Sequence, residues 1–316
     1  MKALVRIGLI SFGLLALIAL SMSLSLARSL YSQASGDAGG RPNYHFSLYL
    51  PDNHNSFFAG IIAGAEQAAA ETGSVLSLHY IDPYLNELEM ASYTGVDGVV
   101  VCPYLDDRLA RRQLERLSAK KIPVVIINHN VPADQPWPYI GTNNFDVGRK
   151  LGTIAGRISR EPLNLAVVYS DKSPGIYGER ELVEMGISSA IAGKLAAPII
   201  GLRTSMNPLD AEQMLVHLFR TQPGINTIIF TDASDTLAAA QLLIDMNLVG
   251  QVQIVGFGAE SGILEYIRKG VIAGTVAVNP ERIGYEALMS LFSLRSTGYT
   301  STSIDTGVDI IDRSKL

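Results

Sequence analysis

Two clusters of polar residues stand where a chain of this kind would hold a ligand. Residues 124–127 are a short apolar run, Val-Val-Ile-Ile, followed at once by Asn128, His129 and Asn130. A run of that type reads as a buried parallel strand. Its polar end is then a site by position, because ligands in open α/β sheets bind beyond the carboxyl ends of the strands. A second strand-like piece, residues 139–141, leads into Thr142, Asn143 and Asn144 and then into a helical stretch. The expectation is that the chain leaves one α/β lobe here and enters another, with a small ligand held between them. Amides and an imidazole suit reversible hydrogen bonding to such a ligand.

Covalent and metal chemistry find no comparable support. Gly256-x-Gly258 follows a strand, but Ser261 stands where the third glycine of a dinucleotide fingerprint belongs. There is no phosphate-binding loop of the Walker type and no Gly-x-Ser-x-Gly elbow. The histidines, His45, His54, His79, His129 and His217, show no metal-ligand spacing. Asp106 and Asp107 precede a helix and fit its dipole. The lone Cys102, in the apolar run Val-Asp-Gly-Val-Val-Val-Cys-Pro, excludes an internal disulfide and a cysteine zinc site, and reads as a packing residue. No enzyme activity, catalytic residue, cofactor or metal is expected.

Composition sets further limits. The chain has 316 residues, is 47% hydrophobic and carries a net charge of -5. Without a basic stripe, nucleic acid is excluded as a partner. Lys2 and Arg6 precede residues 7–27, which contain no charge and are about as long as a spanning helix needs. Residues 1–28 therefore read either as an uncleaved membrane anchor or as a signal peptide cut after Ala34, with Ser32 two residues before it. Either way the remainder is exported, to the periplasm or the outer face of the cytoplasmic membrane, anchored or secreted. No cysteine follows closely, which excludes a lipoprotein anchor. Residues 29–42, rich in Ser and Gly, read as a flexible tether.

From Tyr44 onward strand and helix patterns alternate. Strands are expected at residues 44–50, 75–81, 96–102 and 124–127, with helices at 57–72 and 108–120. After Thr142 the rhythm restarts, with helices at 147–159, 179–194, 210–220, 235–246, 262–269 and 283–294. Strands at 165–169, 198–202, 227–230, 253–257 and 273–278 lie between them. The fold class is α/β, with two doubly wound parallel-sheet lobes joined by three crossings and an N-terminal apolar helix. Residues 43–141 plus 279–304 make lobe 1. Residues 142–278 plus 305–316 make lobe 2.

Several fragments in this order resemble the type I periplasmic sugar-binding proteins of the ribose-binding kind, whose lobes are shared with lactose-repressor-like effector domains. They are Asn55-Ser56-Phe57-Phe58, Gly64-Ala65, Val96-Asp97-Gly98-Val99, Ile122-Pro123-Val124 and Ile140-Gly141-Thr142-Asn143-Asn144 with Gly148. Phe230-Thr231-Asp232-Ala233-Ser234-Asp235, Ile254-Val255-Gly256-Phe257-Gly258 and Gly274-Thr275-Val276 complete the set. The resemblance implies a two-lobed binder that closes on a small polar ligand, most simply a sugar. Its partner would be an ABC-type transporter permease. In a membrane-tethered variant the partner would be a sensor histidine kinase or chemoreceptor.

The departures bear on the ligand. The family's Asp-Arg pair after the fourth strand is Asn128-His129 here, and its Asp after the late Gly-Phe is Gly258. Its Asn-Asp is Ala233-Ser234, its late Gln is Val278, and Arg180 is the nearest to its lobe-two Arg. The expected ligand-binding set is Asn55, Phe57, Phe58, Asn128, His129, Asn143, Asp232 and Asp235. Phe57 and Phe58 equally fit the core face of a helix. Asn128 fits a local turn, His129 a lobe interface, and Asp235 the N-cap of its helix.

Overall fold

Apolar β-branched runs alternate with helix-forming stretches through most of the chain and build two six-stranded sheets. The computed structural model describes residues 20–23, 44–52, 56–82, 87–103, 106–134, 137–158, 162–205, 207 and 209–316. Asn55 lies outside the described residues, as does all but a helical turn at residues 20–23 of the N-terminal apolar run. Among the described residues no helix is long and apolar enough to cross a membrane.

In the first half of the chain the strands are β1 (His45–Pro51), β2 (Val75–Ile81), β3 (Gly98–Val101), β4 (Val124–Ile127) and β5 (Tyr139–Gly141). They alternate with helices α1 (Ser56–Thr72), α2 (Glu87–Met90) and α3 (Asp107–Ala119). The second half opens with α4 (Asn144–Ile158), β6 (Leu165–Ser170), α5 (Pro174–Gly178), α6 (Arg180–Ala190) and β7 (Ile200–Thr204). It continues through α7 (Asp210–Thr221), β8 (Thr227–Phe230), α8 (Ala233–Asp245), β9 (Gln253–Phe257), α9 (Ser261–Lys269) and β10 (Gly274–Val278). Helix α10 (Pro280–Thr297), β11 (Ser303–Asp305) and β12 (Val308–Asp312) close the chain.

The first sheet has the order β11-β5-β4-β3-β1-β2 and the second β12-β10-β9-β8-β6-β7. All pairings are parallel except β10 with β12, which is antiparallel. That pairing follows from the short link after β11, which turns the chain back along β10. Strands β3, β4, β6 and β8 are buried at every residue, as strands covered on both faces must be. The chain passes between the sheets between β5 and α4, between β10 and α10, and between β11 and β12.

The same device packs each sheet's helices. Gly64 on α1 lies so close to α10 that a Cβ there would sit 1.9 Å from the Glu281 carbonyl oxygen. Gly148 on α4 would meet the Val183 carbonyl oxygen of α6 at 2.0 Å. Only glycine permits such backbone contact between helices. Around the first pair lies a core of Phe46, Leu48, Leu50, Ile61, Val125, Ile127, Ala287 and Leu291. Around the second lies one of Val147, Leu151, Leu165, Val167, Val183 and Ile187.

Several element limits differ from the sequence expectation, and three of the differences have a local cause. Between β2 and β3, where the strand–helix alternation calls for a covering helix, the described residues form the single turn α2 and a 3-10 turn at Ala91–Tyr93, since 83–97 offers too short an apolar pattern for a longer helix. The helix expected over residues 179–194 is α6, which starts at Arg180 and ends at Ala190, and a separate short helix, α5, precedes it. Helix α4 begins three residues before the expected position because the Asn143 side chain caps it, Oδ1 accepting from the backbone N–H of Phe145 at 3.0 Å and Asp146 at 3.3 Å.

Candidate ligand-binding cleft

The carboxyl ends of both sheets face a cavity of about 400 Å³, within the range of small-molecule sites. From the first sheet it is lined by Ser56, Phe57 and Phe58 at the start of α1 and by Asn128 after β4. From the second come Lys172 and Ser173 after β6, Asp232 to Ser234 after β8, and Phe257 to Glu260 after β9. Thr142, Val278 and Pro280 line it where the chain passes between the sheets.

Phe58 is 2% exposed and belongs to the core of its sheet, whereas Phe57 is half-buried and stands edge-on to it at 5.3 Å between ring centroids. Phe58 is thus chiefly structural, while Phe57, packed against the rim of the same core, is the more exposed of the two lining residues. Asn128 holds a left-handed backbone, φ 61°, which Asn tolerates better than most residues. Its Nδ2 reaches Cys102 Sγ at 3.9 Å. Cys102 is fully buried, and burial pushes its thiol up to about 12, so it remains a neutral packing group.

Asp232 caps α8. Its Oδ1 accepts from the N–H of Ser234 at 2.9 Å and of Asp235 at 3.1 Å, and its Oδ2 accepts from Ser173 Oγ at 3.2 Å. Burial, then the nearby charge of Asp235, raises its pKa above the ordinary carboxylate value. Asp235 is the third residue of α8, in its first turn, rather than at its cap, where the sequence had allowed it. It is 1% exposed and pairs with Lys172 Nζ at 2.7 Å, while its other oxygen accepts from Thr204 Oγ1. Asp235 therefore sits beneath the cavity and orients Lys172, which lines it.

His129 and Asn143 do not line the cavity. His129 is 9% exposed and donates from Nε2 to Asp107 Oδ1 at 2.8 Å, and a Cβ on Gly178 of α5 would lie 2.7 Å from its Nδ1. It stands between the two lobes as an interface residue. Asn143 is exposed and serves as the cap of α4. Of the eight-residue set, Asn55 lies outside the described residues, Phe57, Phe58, Asn128 and Asp232 line the cavity, Asp235 supports it, and His129 and Asn143 hold the surrounding frame.

Sequence reasoning passed over Lys172, Ser173 and Glu260. Each follows a strand end, and that position is the signal that marks them. Glu260 stands out because Ser56 Oγ donates to its Oε1 at 2.8 Å from the other lobe, while its Oε2 is buried with no hydrogen-bond partner among the described residues. At Gly258, φ 99°, a Cβ would lie 2.3 Å from that same Oε2, so the glycine makes room for the glutamate. The lobes also meet at Gly175, where a Cβ would be 2.1 Å from the Asn128 carbonyl oxygen. Asn144 fixes that approach by donating from Nδ2 to the Gly175 carbonyl at 3.1 Å and to Glu179 Oε2 at 2.9 Å.

Comparison with known proteins bears on this arrangement. Residues 46–298 match the family model described as a periplasmic binding protein domain. No curated protein matches the chain in sequence. Among solved structures, GanP, a glucose-galactose binding protein from Geobacillus stearothermophilus, superposes with a TM-score of 0.77 at 23% identity, over 86% of this chain and 98% of that one. A periplasmic solute-binding protein of an ABC transporter from Actinobacillus succinogenes, with bound D-allose, gives 0.76 at 19% identity, over 86% and 99%. A carbohydrate transporter solute-binding protein from Agrobacterium radiobacter, in complex with D-arabinose, gives 0.74 at 16% identity, over 87% and 96%.

Proposed function

The chain belongs to the periplasmic binding protein domain family, and from that premise we propose that it is an extracytoplasmic solute-binding protein that closes on a sugar and presents it to an ABC-type transporter. The observation that carries the reading is the 400 Å³ cavity between the lobes, with the Phe57 ring on one wall and the groups of Lys172, Asp232 and Glu260 on the other. A ring face covers the apolar C–H surface of a sugar while polar groups take its hydroxyls. The neighbours with bound D-allose and D-arabinose support this choice of ligand. Its mechanism is population shift: a ligand that touches both lobes binds the closed form better and draws the equilibrium toward it. No covalent step is involved.

A second reading has its own support. The uncharged residues 7–27 behind Lys2 and Arg6 suit a membrane tether, which would favour a sensor that signals to a histidine kinase or chemoreceptor over a freely diffusing carrier. Amino-terminal sequencing separates the two, since a mature chain starting at Ser35 removes the tether. The sugar reading is tested by mass spectrometry of small molecules released from the purified full chain. A neutral sugar is expected, and release of only a nucleotide or an amino acid would overturn it.

A further inference from the structure

The cavity's own bonding narrows the class of sugar, an inference that rests on the sugar-binding reading just given. Most of its polar atoms are already engaged by the protein. Both Asp232 oxygens accept internal bonds, Ser173 donates to one of them, Lys172 is paired with Asp235, and Ser56 donates to Glu260. No arginine is among the described lining residues. Glu260 Oε2 stands apart: it is buried, lacks a partner, and belongs to the cavity lining.

Apart from Asn128, Thr142 and Ser234, the remaining side-chain lining is apolar on both sides. Phe57 and Phe58 face the cavity from one lobe, and Ile176, Leu237, Phe257 and Val278 from the other. An unmodified hexose presents hydroxyls around its whole rim, and each one buried against such a wall loses its water without gaining a partner. Charge points the same way. Asp232 and Asp235 stand beside the ammonium of Lys172, the one cation among the described lining residues, and Asp232 already occupies the N-terminal N–H groups of α8 that would otherwise attract an anion.

We propose that the cleft takes a neutral deoxy sugar, whose hydrogen-for-hydroxyl edge packs against Ile176, Leu237, Phe257 and Val278 while a hydroxyl elsewhere on the ring donates to Glu260 Oε2. Recognition by one unpaired carboxylate oxygen and a few polar side chains between apolar walls discriminates against fully hydroxylated and anionic sugars alike. Glu260 then supplies the carboxylate that Gly258 lacks.

The test is calorimetric titration of the full chain with matched pairs: D-fucose against D-galactose, 6-deoxy-D-glucose and 2-deoxy-D-glucose against D-glucose, L-rhamnose against L-mannose, and D-glucuronate as the anion. At least one deoxy sugar is expected to bind about tenfold or more tighter than its parent, the scale of one unmatched buried hydroxyl, with no binding of the uronate. Glu260→Gln, which keeps the shape, is expected to weaken that deoxy sugar about tenfold. If no deoxy sugar in the panel binds more tightly than its parent, or if the uronate binds best, this inference is overturned and the sugar-binding reading stands. Failure of every sugar in the panel to bind overturns both. An unchanged affinity in Glu260→Gln removes Glu260 from recognition and contradicts the proposal.

Discussion

Lys172 and Asp235 form an ion pair, 2.7 Å from Nζ to Oδ1, in which the lysine side chain is 9% exposed and the aspartate 1%. It joins the loop after β6 to α8 under the floor of the cleft. A pair so buried is not strong in itself, because both groups have left water, but removing one partner strands the other. Asp235→Ala is therefore expected to destabilise the fold by about 3–5 kcal/mol. Urea unfolding followed by circular dichroism checks it, and a loss below about 1 kcal/mol would show that Lys172 finds water instead.

The other carboxylate in that loop makes a pH prediction. Burial and the Asp235 charge raise the pKa of Asp232 in the folded chain above its ordinary value of 3.8. The folded state then holds its proton more tightly than the unfolded state, so stability falls as pH rises from 3.8 through the folded pKa. Asp232→Asn keeps a good N-cap without the charge. Wild type and variant should be equally stable at the acid end, with the wild type losing ground to the variant as pH rises through this window. Paired unfolding curves at a series of pH values read the difference, and a constant gap would contradict the assignment.

Lobe closure depends on Gly175. A methyl group there would stand 2.1 Å from the Asn128 carbonyl oxygen, a contact that the lobes as arranged in this structure cannot accept. Gly175→Ala should leave secondary structure intact, enlarge the radius of gyration seen by small-angle scattering, and weaken sugar binding by about tenfold or more, as fewer molecules reach the closed state. Scattering identical to wild type would mean that the lobes pivot about this contact instead of closing on it.

Ser56→Ala removes a hydrogen bond that spans the cleft, from Ser56 Oγ to Glu260 Oε1 at 2.8 Å. Both groups meet water in an open form, so the loss should be modest. The ligand-free chain should open slightly, and hydrogen exchange at the start of α1 and α9 should speed up. Unchanged exchange at both helices would assign the bond no part in holding the lobes together.

The sequence carried the framework well for physical reasons. Buried parallel strands such as β4 and β8 are continuous apolar runs, and their limits were read without error. Gly64 and Gly148 were legible only as fragments of the family resemblance, and their part in helix packing was not, since a glycine alone does not name what approaches it. The side chains around the cleft were less legible. Asn143 and Asp232 have the residue types of both caps and ligand donors, and only the direction of the side chain separates those roles. Lys172 was missed because its significance comes from Asp235, more than sixty residues away. Glu260 was missed because the family's carboxylate position, two residues earlier, holds Gly258.

Titration of the tightest-binding sugar into wild type and Phe57→Ala tests the central claim most directly, beside melting curves taken without ligand. Phe57 lines the cavity while Phe58, at 2% exposure, supports the core, so truncating Phe57 should cost affinity and not the fold. The account predicts a loss of about 2 kcal/mol in binding, roughly thirtyfold in Kd, with the melting temperature nearly unchanged. An unchanged Kd in Phe57→Ala together with a large drop in melting temperature would contradict it, and would make the cleft aromatic a core residue with no part in ligand capture.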